Sequence, residues 1–158
     1  MTGPGLTALC FLVGGRVFAA DIRVIREILQ PRRLTPVPGA PPGVLGVLNL
    51  RGELVPAVDS HGLLGEPRPE APPDPKLVVV RAGGRTFGLP VDRLFDVVSV
   101  PLDVVAPVPG SEDPGRALVV GMFRKPESIP FEGDLVLLLR TGALLQGPGS
   151  QESHREDG

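Results

Sequence analysis

The sequence contains one cysteine, no tryptophan and no tyrosine. Cys10 therefore cannot form a disulfide within the chain, and because it lies between Leu9 and Phe11 we expect a buried, unreactive thiol. Aromatic residues make up only 4% of the chain, and the formal net charge is −2. The stacking surface and the basic excess of nucleic-acid-binding proteins are both missing, so we predict no binding to DNA or RNA.

Long apolar runs are also missing. The longest, ALCFLV and LVLLL, fall far short of the ~20 apolar residues that a membrane-spanning helix needs. The first residues, MTGPGLT, lack the positively charged segment that opens a signal peptide. We therefore expect a cytoplasmic protein without direct membrane insertion.

Glycine and proline are abundant, with 21 and 20 residues, and they divide the apolar residues into short runs. Runs of this length, rich in Val, Leu, Ile and Phe, are typical of β-strands. The predicted strands are Ala8–Val13, Arg16–Asp21, Arg26–Leu34, Gly46–Leu50, Glu53–Val58, Leu77–Arg81, Arg85–Val91, Leu94–Val100, Ala117–Phe123 and Asp134–Arg140. Short helical turns are predicted at Ala40–Leu45, His61–Leu64 and Gly142–Gln146.

The chain contains an internal repeat of three blocks in the same order. The matched blocks are 14–29 with 83–98, LTPVPG at 34–39 with VAPVPG at 105–110, and 54–65 with 135–146. Such a repeat predicts two copies of one unit, each with about five strands and a short helix. We expect an all-β fold of two pseudo-symmetric, five-stranded SH3-like β-barrels packed on a shared core.

We expect residues 1–146 to form a single domain. The first barrel would take about 8–66 plus the final segment, and the second about 76–146. The proline-rich segment EPRPEAPPDP, 66–75, is typical of an extended linker, and the polar tail 147–158 of a disordered segment. Because five short strands bury little apolar area, the two halves should pack on each other.

Catalytic motifs are almost absent. The sequence has no GxSxG, GxxxxGK[ST] or HExxH motif and no cysteine pair, so we expect no metal, nucleotide or other cofactor. His61, beside Asp59 and Ser60, leaves one alternative open: a small β-barrel hydrolase or ligand-binding module using His61 and Asp59. Triad members usually come from separate segments, and Asp59 with Ser60 is equally suited to capping a short helix.

The stretch LGVLNLRGELVPAVD, 45–59, is apolar except for Asn49, Arg51 and Glu53. Gly52 favours a turn between two alternating runs, so Arg51 should stand at the end of a hairpin. An arginine there is either a solvated turn residue or a donor for a bidentate partner. The residues alone leave both interpretations open.

This stretch resembles the Gly-Val-x-Asn-Leu-Arg-Gly-x-x-x-Pro-Val-x-Asp signature of CheW-type chemotaxis coupling proteins. ALCFLVGGRVFAADIRVIREIL is similar to the opening strands of that family, which end in Val-x-Glu-Ile, and FGLPVDRLFDVV is similar to a later motif. The resemblance covers about residues 8 to 146 and implies the same two-barrel fold. The chain departs from the family where Ser60-His61 replaces Leu-Arg, and where 124–133 is inserted.

The resemblance also implies a function. Members of this family are adaptors without catalytic activity, and they bridge the cytoplasmic hairpin tip of chemoreceptors to the regulatory domain of the histidine kinase CheA. It implies that Glu27 and Arg51 act together near the receptor groove, with Ile25, Leu77 and Leu94 as apolar neighbours. Leu54 and Val55 would belong to a kinase-facing patch, and the protein would work at receptor arrays.

Overall fold

The computed structural model describes residues 5–108 and 118–146. Within these ranges the chain forms ten strands and two short α-helices. The strands are β1 Gly5–Val13, β2 Arg16–Asp21, β3 Ile25–Leu29, β4 Val44–Leu50, β5 Glu53–Val58, β6 Lys76–Ala82, β7 Arg85–Val91, β8 Arg93–Pro101, β9 Val119–Arg124 and β10 Leu135–Leu139. The helices are α1 Ser60–Leu64 and α2 Thr141–Gln146, and 3-10 turns cover Ile22–Val24 and Leu102–Val104.

The strands form two five-stranded sheets, which confirms the all-β prediction. One sheet, sheet A, has the order β8-β1-β2-β10-β9, and the other, sheet B, has the order β3-β6-β7-β5-β4. Each sheet takes strands from both halves of the chain, whereas the expected first barrel took about 8–66 plus the final segment and the second took about 76–146. The sheets are open and are not closed SH3-like barrels. Each sheet mixes strands of the two halves because the chain crosses to the other sheet after β2 and again after β7, instead of continuing in a hairpin.

The two sheets nevertheless repeat one design. Strands β1 to β5 of the first half correspond in order to β6 to β10 of the second half. Exchanging each strand for its counterpart turns the strand order of one sheet into that of the other. Each sheet has one parallel pair, β2 with β10 or β5 with β7, and a bulge at the same place on its edge strand, β3 or β8. The internal repeat in the sequence is therefore a repeat of the fold.

The core has three apolar clusters. The central cluster lies between the sheets and takes Leu9, Phe11 and Val13 from β1 and Val78 and Val80 from β6. Alternate residues of the same strands face the other way, into a separate cluster for each sheet. β1 and β6 are therefore buried on both faces. Cys10 is fully buried in the cluster of sheet A, as expected, and burial raises the pKa of its thiol to about 12.

Some element boundaries differ from the predictions. The predicted helical turn at Ala40–Leu45 is wrong, because only turns precede β4, which already begins at Val44. β3 ends at Leu29, well before the predicted Leu34, because Pro31 has no N–H to donate to a strand ladder. Residues 66–75 contain neither helix nor strand, and Ala117 and the tail 147–158 lie outside the described residues.

Candidate functional site

The β4–β5 hairpin explains why polar residues interrupt its apolar sequence. Leu50 pairs with Glu53, and both residues between them have positive φ, 52° for Arg51 and 89° for Gly52. This is the two-residue turn that suits the right-handed twist of a hairpin. The Asn49 side chain accepts a hydrogen bond of 2.8 Å from the Gly52 N–H, so it fixes the turn. Among the described residues Arg51 alone has positive φ without being glycine, a conformation that is often associated with function.

Arg51 forms a bidentate ion pair with Glu27 on β3. Nη1 donates to Oε1 over 3.3 Å, and Nη2 donates to Oε2 in a closer contact. The Arg51 hydrogen bond, above other causes, holds the pKa of Glu27 below its ordinary value of 4.5, and the Glu27 carboxylate raises the pKa of Arg51. Since Glu27 stays ionised as the pH falls through its ordinary range, the pair is present at neutral pH and is lost only in stronger acid.

A second ion pair joins the same two elements. Arg26 Nη1 lies 3.2 Å from Glu53 Oε1, next to the Glu27 pair in sequence. Neighbouring residues of a strand normally point to opposite faces of the sheet. The β3 bulge lies between Ile25 and Glu27, and it turns the Arg26 side chain toward the same side as that of Glu27. Both side chains therefore reach the hairpin, and the two pairs join β3 at one end of sheet B to the hairpin at the other. Sequence reasoning missed the second pair, although the opposite charges of Arg26 and Glu53 flank the first.

Ile25 and Leu94 occupy equivalent positions in the two sheets. Ile25 lies opposite Val80 and Leu94 opposite Phe11, and both are half-buried against the central cluster. Further along the same two edge strands Ile28 is 42% exposed and Val97 is 50% exposed.

By their register, Ile28 and Val97 lie on the sheet faces that carry the central cluster. Ile28 pairs with Val78 and Val97 with Leu9, and both partners belong to the central cluster. The sequence analysis missed these two residues, although the 14–29 and 83–98 blocks align them with each other. Together, Ile25, Ile28, Leu94 and Val97 are called the groove residues below.

Two of the expected contact residues lie in the core, which is a correction. Leu77 is 3% exposed and Val55 is fully buried, and both belong to the inner cluster of sheet B. Neither side chain has the surface to bind a partner directly. The neighbour of Val55, Leu54, points the other way and is 69% exposed. Its counterpart in the repeat, Leu135, is 49% exposed.

The residues around His61 do not form a nucleophilic triad. His61 Nε2 lies 2.9 Å from Asp92 Oδ2, while Ser60 donates its hydroxyl hydrogen to the carbonyl of Pro90. Asp59 caps α1 by accepting from the Gly62 N–H and also binds Arg68 at 2.6 Å. Because Ser60 is 1% and His61 5% exposed, this geometry does not favour the hydrolase alternative.

Asp92 lies where the chain crosses from sheet B to sheet A. Its carboxylate also accepts a hydrogen bond of 2.7 Å from the Gly14 N–H, in the β1–β2 turn, and its backbone N–H donates to Leu12. The His61–Asp92 contact therefore joins α1 to this crossing and has a structural role.

Within residues 5–108 and 118–146, no group of three or more His, Cys, Asp or Glu residues is arranged to hold a metal ion. The helices in the same ranges are too short to cross a bilayer.

Two five-stranded sheets of one design, each built from both halves of the chain, define a class of small β-proteins with an internal structural repeat. A model of the CheW-like domain matches residues 7–148. The chain therefore belongs to the CheW-like family of chemotaxis proteins, as its resemblance to the CheW-type signature implied.

Individual relatives agree with this assignment. The chain is 36% identical to the chemotaxis protein CheW of Rhizobium meliloti over 140 residues, which cover 88% of this chain and 86% of the relative. It is 32% identical to the protein PilI of Pseudomonas aeruginosa over 116 residues, 73% of this chain and 65% of that one. The crystal structure of the scaffolding protein TtCheW from Thermoanaerobacter tengcongensis has the same fold, with a TM-score of 0.78, 21% identity, and coverage of 92% of this chain and 96% of that one.

Proposed function

We propose that this protein is a non-catalytic adaptor that couples chemoreceptors to the histidine kinase CheA in cytoplasmic, membrane-associated receptor arrays. Membership of the CheW-like family supports the general role. The observation that supports this position of the receptor surface is the bidentate Glu27–Arg51 pair. Arg51 keeps a backbone conformation that glycine would adopt without strain, and such strain is often retained for a function.

The receptor surface in this proposal combines the ion pair with the groove residues. Glu27 and Arg51 have 25% and 63% of their side-chain surface exposed, so a partner can reach both. Ile28 and Val97 supply exposed apolar area on the sheet faces that turn toward each other. A helix of the receptor hairpin suits such a surface, because an amphipathic helix places its apolar side in a groove and its polar side at the rim. Leu77 would support this surface only indirectly, from the core behind β3.

The kinase surface is placed at the β4–β5 hairpin, around Leu54. This leucine is the most exposed large apolar side chain among the described residues, and it lies next to the edge strand β4. Exposed apolar side chains beside an open sheet edge are suited to protein contacts. Val55 holds the hairpin against the core and makes no direct contact.

Replacement of Arg51 by Ala should weaken receptor binding at least tenfold and leave CheA binding largely unchanged. The reason is that removing one member of a charge pair that becomes desolvated at an interface leaves the other charge unpaired. An exposed pair contributes little to folding, so the thermal midpoint should barely move. Binding of a receptor signalling fragment and of CheA can be measured by calorimetry beside thermal unfolding. Arg68→Ala is the matched control, because Arg68 also pairs with a carboxylate and is 54% exposed, far from β3 in sequence.

The reversed pair, Glu27→Arg with Arg51→Glu, should restore part of the lost receptor affinity if the two residues act on each other. Equal loss of both partners in Arg51→Ala, or unfolding of that variant, would make the arginine structural and refute this placement of the receptor surface.

A further inference from the structure

A second arginine cluster adjoins the Glu27–Arg51 pair. The hydroxyl oxygen of Thr86, on β7, accepts hydrogen bonds from Arg81 Nη1 at 2.9 Å and from Arg26 Nη1 at 3.4 Å. Arg81 is exposed on β6, and within the described part of the chain it has no carboxylate partner. Two guanidinium groups therefore converge on one uncharged oxygen.

This corner carries positive charge on a chain that is acidic as a whole. Arg26, Arg51 and Arg81 are joined to Glu27, Glu53 and Thr86 by hydrogen bonds and ion pairs, and the charge of Arg32 also acts on Glu27. Three arginines held by hydrogen bonds or ion pairs thus face two glutamates, while the formal net charge of the protein is −2. Like charges held close together are unfavourable, and an incoming anion relieves this repulsion.

We infer that Arg81, with Arg26, receives an Asp or Glu side chain of the receptor next to the Glu27–Arg51 pair. This inference rests on the proposed function and assigns a specificity contact to it. Arginine suits the role because its planar fork binds a carboxylate through two parallel hydrogen bonds. A carboxylate fits better than a doubly charged phosphate group, since the Glu53 carboxylate lies within 3.2 Å of Arg26 and would repel the larger charge.

The inference is tested by charge reversal, with the cytoplasmic signalling fragment of a chemoreceptor from the same genome as the probe. Arg81→Glu should weaken binding of this fragment at least tenfold, and Arg81→Gln should weaken it less, because it only removes the charge. Both variants should show a shallower loss of affinity with added salt than the wild type, since one ionic contact is gone. Arg124→Glu is the matched control: Arg124 is an exposed arginine on β9, in the other sheet, and should not alter binding.

A charge swap identifies the partner residue. Single carboxylate-to-lysine substitutions along the receptor fragment should include one that restores binding to Arg81→Glu and weakens binding to the wild type. Equal affinities for wild type, Arg81→Glu and Arg124→Glu would overturn the inference and leave the proposed function standing. A receptor fragment that fails to bind the wild-type protein would overturn the proposed function, and the inference with it.

Discussion

Fragments 1–70 and 76–158, produced separately, should be insoluble or should unfold without a cooperative transition. The cut leaves β1 and β2 in one fragment and the other three strands of sheet A in the second, and it divides sheet B in the same way. Each fragment would also expose its side of the central cluster, which takes residues from both halves. Exposed apolar surface of this kind leads to aggregation or to a molten state.

Mixing or co-expressing the two fragments should recover a folded complex, because all ten strands are then present. The intact chain is the control, and circular dichroism with thermal unfolding is the measurement. A cooperative transition in either isolated fragment would show that one half is a complete folding unit, which contradicts the exchange of strands between the sheets.

Replacement of Asp92 by Ala should lower the free energy of unfolding by about 2–4 kcal/mol. Asp92 is 2% exposed and accepts hydrogen bonds from the Gly14 N–H and from His61. Its loss leaves the buried His61 Nε2 and the part-buried Gly14 N–H without their partner, and a buried polar group left unpaired costs about 1–3 kcal/mol. The effect on His61 is aggravated because its Nδ1 atom is already buried without a partner.

Denaturant unfolding of Asp92→Ala should be compared with Asp92→Asn and Asp96→Ala. Asp92→Asn keeps an acceptor for Gly14 and should lose less stability, and Asp96→Ala removes an exposed carboxylate and should be near neutral. If Asp92→Ala were as stable as the wild type, the contact at the crossing between the sheets would have no structural role. A specific hydrolytic turnover of the wild-type protein that is lost in His61→Ala and Asp59→Ala would revive the catalytic alternative.

The repeat and the turn residues predict the strands well, but not how they pair. Each strand run has glycine or proline near at least one of its ends, so the existence and the order of the strands can be predicted from local sequence. β3 and β8 each lie in the other sheet from the strand that precedes them, because the chain crosses between the sheets at Ile22–Val24 and at Asp92. The residues at the two crossings contain no glycine or proline that would mark them. The pattern of strands along the sequence would also be the same if the chain continued in a hairpin.

The candidate site, like the fold, could be predicted from the sequence only in part. The resemblance singles out Glu27 and Arg51, and the structure brings them together. The bulge that turns Arg26 toward Glu53 depends on pairing with β6, which the β3 sequence does not reveal. The resemblance also named Leu77, which the structure buries on β6; because β6 is apolar on both faces, strand alternation alone could not have shown which of its residues are exposed.

The central claim is that this protein links a chemoreceptor to CheA. Co-sedimentation tests it most directly, with membrane vesicles that carry the receptor, purified CheA, and the adaptor either present or absent. The kinase should enter the pellet with the receptor vesicles when the wild-type protein is present, should stay largely in solution without it, and should be recovered in much smaller amount with Arg51→Ala. If the same amount of kinase sediments with and without the protein, the chain is not the link between receptor and kinase.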